Sequence, residues 1–108
     1  MTIILVLYVA SGLLLVALSI PLIRRKVAPN PLYGFRVQKT LSDRAIWYES
    51  NAYAGKCLLV TGVVTIATCT ILYPFPINVL AYTWICLAVM MGGMMASVVL
   101  SFRFLAKL

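Results

Sequence analysis

Three long apolar runs without a single charged side chain constrain this chain more than anything else in it: Thr2 to Ile23, Cys57 to Tyr73 and Val79 to Phe102. At about 1.5 Å of rise per residue they reach roughly 33, 25 and 36 Å as helices, against a hydrocarbon core of about 30 Å. The middle run reaches full length once Ala54, Gly55 and the aliphatic stem of Lys56 are added. In lipid the backbone must satisfy its own hydrogen bonds, and three segments cannot close a barrel, so each run is expected to be a helix. Composition agrees. The chain of 108 residues is 64% hydrophobic and 10% charged, where a soluble domain is about half apolar and a quarter charged.

The charges that remain are one-sided. Nine Lys and Arg face two acids, Asp43 and Glu49, with no His, for a formal net charge of +7. Arg24, Arg25, Lys26, Arg36, Lys39, Arg44 and Lys56 lie between the first two runs, and Arg103 and Lys107 follow the third. The start of the chain and the turn 74–78 carry none. Such an excess at the ends of apolar runs points to anionic lipid headgroups, each contact worth about 1 kcal/mol, rather than to nucleic acid. The positive-inside rule then predicts N-out, C-in. Tyr73, Phe75, Tyr82 and Trp84 bracket the outer turn, and Trp47, Tyr48 and Tyr53 suit the inner interface. A cleaved signal peptide carries its positive charge before its apolar stretch, whereas here Arg24-Arg25-Lys26 follows it, so a retained anchor is expected.

The expected architecture is therefore an all-α membrane protein. Its parts are a transmembrane helix over 1–23, a cytoplasmic loop and interfacial amphipathic helix over 24–53, a second span over 54–73, an external turn over 74–78, a third span over 79–102 and a cytoplasmic tail over 103–108. Small residues mark the expected helix contacts: Gly55 and Gly62 in the second span, and the pairs Gly92/Ala96 and Gly93/Ser97 in the third, whose partner is either another helix of the chain or a second copy. Met90, Met91, Met94 and Met95 around that patch are read as filler. Thr61, Thr65, Thr68 and Cys69 form a polar stripe suited to packing between helices.

Three cysteines, Cys57, Cys69 and Cys86, show no CxxC spacing, and without His neither a metal site nor a cofactor is expected. Folding the last two spans about residue 77 puts Cys69 and Cys86 at similar depth, where packing is preferred over a disulfide. No nucleophile-base set, paired intramembrane acid or phosphate loop suggests an enzyme. A small proton-coupled exporter is disfavoured because the first span has no ionisable group.

Residues 24–56 carry the information. Pro29-Asn30-Pro31 stops the first helix, Gly34 offers a positive-φ position before Phe35-Arg36, and Thr40-Leu41-Ser42-Asp43 fits a capping box in which Thr40 caps a new helix. From there Asp43, Trp47, Asn51 and Gly55 recur every four residues, drifting about 40° per step, so all four share one face. Trp47 is expected at headgroup depth and Asn51 in a hydrogen bond to the Pro29 to Gly34 loop.

These residues, in the frame PNPLYGFRVQKTLSDRAIWYESNAYAGK, resemble the signature of the SdpI family of bacterial membrane proteins, in a short single-module form. Val37 stands where members often have a small hydroxyl residue. The resemblance implies a bacterial cytoplasmic (inner) membrane protein that gives immunity to, or senses, a secreted membrane-active peptide toxin. It also implies a ligand- or partner-binding set of Asn30, Tyr33, Gly34, Arg36, Thr40, Trp47 and Asn51. For Arg36 three readings stay open: an ion pair with Asp43 or Glu49, a lipid phosphate, or a peptide or small anionic ligand. The competing function is an accessory subunit bound to another membrane protein, and a homodimer is compatible with either.

Overall fold

A computed structural model describes residues 2–30, 34 and 36–108 of the chain. Four helices follow one another: α1 (Thr2–Ile23), α2 (Gln38–Ser42), α3 (Arg44–Leu72) and α4 (Val79–Ala106). The described residues include no strand. Three of these helices, α1, α3 and α4, are long and apolar enough to cross a membrane. The molecule measures 51 × 22 × 19 Å, so its long axis matches a bilayer of about 40–45 Å including headgroups.

The packing is that of a protein whose solvent is lipid. Leu7, Leu14, Val60, Ile71, Leu80 and Val99 are all exposed, while Ser19, Ser50, Asn51, Thr61, Thr65, Ser97 and Ser101 are buried, as are apolar residues such as Leu22 and Tyr82. Small and hydroxyl-bearing residues bring helices close where hydrophobic burial offers no gain between helix and lipid. The central helix is α3, with α1 on one side and α4 on the other.

Against α1 the approach is backbone to backbone. A Cβ placed on Gly62 would lie 2.7 Å from the Gly12 carbonyl oxygen, and one on Gly12 would lie 2.9 Å from that of Gly62. Gly55, nearer the start of α3, meets Leu22 and the Ser19 carbonyl oxygen at 3.0 Å. Against α4 the contact is through hydroxyls: Thr61 Oγ1 and Ser97 Oγ are 3.1 Å apart, and a Cβ on Gly93 would meet Thr61 Cγ2 at 2.7 Å. The two small-residue pairs of α4 thus separate. Gly93 and Ser97 face α3, whereas Gly92, with nothing within 4 Å of its would-be Cβ, and Ala96 face outward.

At the end holding the α3–α4 turn, Thr2 Oγ1 and Tyr73 Oη are 2.6 Å apart, Tyr8 donates to the Thr83 carbonyl at 3.2 Å, and Tyr82 donates to the Cys69 carbonyl at 2.7 Å. Cys69, Tyr82 and Cys86 form one buried cluster there, and both thiols are free. Asn78 caps α4 by accepting from Leu80 N at 2.7 Å.

Two expectations about the middle of the chain change. The helix expected before the second span is continuous with it: residues 44–53 are the first turns of α3, which runs unbroken for 29 residues, about 43 Å. Thr40 does not cap it. Thr40 is the third residue of the five-residue α2, where its hydroxyl accepts from Val37 N and donates to the Val37 carbonyl, both at 2.9 Å. Asp43, in extended backbone between the two helices, is the cap of α3, accepting from Ala45 N at 2.8 Å and Ile46 N at 3.4 Å. A carboxylate outcompetes a hydroxyl at a helix N-terminus because it also complements the dipole.

Candidate functional site

The segment between α1 and α3 folds back onto the first turns of α3. It leaves α1 through Arg25, whose φ of 59° closes the helix, with Lys26 N bonded to the Pro21 carbonyl at 3.0 Å. The Arg25 guanidinium donates to Glu49 of α3, forming the ion pair found among the described residues. Two residues on, the Val27 carbonyl accepts from Trp47 Nε1 at 2.7 Å.

Trp47 is fully buried. This corrects its reading as a headgroup anchor: the indole is a post inside the protein around which the segment turns. Asn51, 2% exposed, sits one turn further along α3 and donates from Nδ2 to the Trp47 carbonyl at 3.0 Å. Over this pair passes Gly34 with φ +104°, and a Cβ there would fall 2.6 Å from Asn51 Oδ1 and 3.3 Å from Trp47 Cη2. Only glycine meets both demands, the left-handed backbone and the close approach. The four-residue stripe therefore divides three tasks among its members. Asp43 caps, Trp47 and Asn51 carry the loop, and Gly55 admits α1.

Asn30 bonds locally, Nδ2 donating to the Ala28 carbonyl at 2.9 Å. Tyr33 lies outside the described residues. Of the two acids considered for Arg36, Glu49 pairs with Arg25 and Asp43 caps α3. Arg36 is solvent-accessible and lines a groove of about 560 Å³ together with Gly34 and Val37 of the loop, Leu18 and Leu22 of α1, Ala54 and Leu58 of α3, and Met94, Ser97, Val98, Ser101 and Phe102 of α4. Lys39 ties α2 to the end of α4, Nζ donating to the Leu105 carbonyl at 2.9 Å, and Tyr53 stacks on Phe104 with ring centroids 4.3 Å apart.

Sequence reasoning misses Gly12 and Ser19, which build the α1 side of the contact. Their signal is present, as small residues within a run of Leu, Ile and Val. Nothing local announces Val27, Lys39 or the groove, because each depends on which helix ends meet.

A multi-pass membrane protein with three helices long enough to span, and a short motif segment docked on the central one, is the class that these features define. Residues 26–102 match the SdpI/YfhL protein family, and the chain belongs to it. It is similar to a protein of Bacillus subtilis (strain 168) named "Uncharacterized protein YfhL", 29% identical over 56 residues, which are 52% of this chain and 51% of that protein. The matched stretch thus spans about half the length of this curated relative. No solved structure matches.

Proposed function

We propose that this chain is a non-catalytic protein of a bacterial inner membrane that protects its host against, or senses, a secreted membrane-active peptide toxin. It lies N-out and C-in, with the motif segment at the cytoplasmic face. The observation that carries this reading is the motif itself: three of its residues, Gly34 over Asn51 and Trp47, make one docked unit at the end of the molecule where the basic residues gather. The orientation rests on that same charge partition. Gly34 seated on the first turns of α3 marks a surface on which a peptide in the membrane can be held or turned away.

The test is expression in a sensitive bacterium challenged with a panel of secreted membrane-active peptides. Survival against at least one peptide, absent from cells carrying an empty vector, is the expected outcome. Survival unchanged across the panel, together with a membrane protein that copurifies stably, is the outcome of the competing accessory-subunit reading. What favours that second reading is the outward small-residue pair Gly92 and Ala96, a surface on which another helix could pack closely.

A further inference from the structure

The groove beside Arg36 exists because α1 and α4 both lean on α3 and part from each other toward the loop. At the opposite end Tyr8 of α1 bonds to Thr83 of α4, whereas near the loop the two helices form facing walls of the groove. Its α4 wall runs from Met94 to Phe102, about 12 Å at helical rise. That is close to one leaflet of the hydrocarbon core, about 15 Å, and well short of a spanning segment. The walls are mostly apolar, and the charged group at the mouth is a guanidinium, whose planar fork matches a phosphate with two parallel hydrogen bonds. Lys39, tethered to Leu105 three residues beyond Phe102, adds positive charge at the same end.

We infer that this groove is a binding site for one anionic phospholipid, with its phosphate at Arg36 and one acyl chain laid between α1 and α4. The length of the wall selects a chain confined to one leaflet, and the cationic mouth selects a negatively charged headgroup over a zwitterionic one. The site does not depend on the toxin reading, since any membrane of suitable composition supplies the occupant. A smaller groove of about 320 Å³ on the other side of the α3–α4 contact, lined by Val60 and Ala96 among others, serves as an internal comparison.

The experiment uses the full chain, purified in neutral detergent and stripped of lipid. It is titrated with phosphatidylglycerol, phosphatidylcholine or inorganic phosphate and read by native mass spectrometry and by the midpoint of thermal unfolding. One phosphatidylglycerol retained per chain, with about tenfold preference over phosphatidylcholine, and no shift with inorganic phosphate are expected. Arg36→Gln should erase the preference. Val98→Trp, which fills the groove from a lipid-facing position, should block retention, while Val60→Trp in the smaller groove should leave it intact. Equal retention of the two lipids by the parent chain overturns the proposal without any variant. Retention that survives Val98→Trp, an equal shift with inorganic phosphate, or a peptide occupying the groove in place of lipid would overturn it as well.

Discussion

At the scale of single residues, the docked loop turns on Gly34, Trp47 and Asn51. Gly34→Ala forces a side chain into positive φ, which costs roughly 1–2 kcal/mol, and drives its Cβ against Asn51 Oδ1. A stability loss of about 2 kcal/mol or more is expected in detergent, followed by circular dichroism on heating. Trp47→Phe keeps an aromatic ring but removes the donor to the half-buried Val27 carbonyl, a loss of about 1 kcal/mol. Ser50 is the counterexample beside them: its Oγ is buried with no hydrogen-bond partner among the described residues. Ser50→Ala should therefore leave stability unchanged or raise it by up to about 1 kcal/mol. A marked loss in Ser50→Ala would mean that the hydroxyl has a partner after all.

Among the helices, the glycines are not equivalent, and the order of their effects is the check. Gly62→Leu meets the backbone of α1, which cannot step aside, so it should be the most disruptive. Gly93→Leu meets the Thr61 side chain and should be intermediate, and Gly92→Leu meets nothing and should leave the unfolding midpoint of the monomer where it is. A dimer lost in Gly92→Leu at unchanged midpoint would place a second copy on that face. Here the limits of reading a sequence are visible in particular residues. The three spans follow from length and apolarity alone, because lipid enforces helices. The small pairs on α4 are also legible, but their division is not: Gly92 and Gly93 are about 100° apart on a helix, and which of them faces α3 depends on the rotation of α4. The stripe from Asp43 to Gly55 is legible as one face, yet the capping-box pattern favours Thr40 over the true cap. The break at Asp43, which splits α2 from α3, reflects competition between two N-cap residues three positions apart. An indole beside a span reads as interfacial because it so often is; that Trp47 is covered depends on a loop whose path no periodicity encodes.

For the whole molecule, the chain start and the turn 74–78 share one end, and the motif segment, α2 and the tail share the other. Reporters at Gln38 and after Leu108 should both read cytoplasm, and one at Pro76 should read exterior; a reporter after Leu108 that reads exterior contradicts the orientation. The central claim is that Arg36, held at the mouth of the groove, and Asn51, which carries the loop, work as one protective unit. In sensitive cells challenged with a peptide that the parent chain resists, Arg36→Lys keeps the charge but loses the planar fork, and Asn51→Ala undercuts Gly34. Each single variant should lose protection at normal membrane abundance, and the double variant should be little worse than either, as expected for residues acting as one unit. Full protection by both single variants at that abundance would contradict the account and move the working site to the faces of the spans.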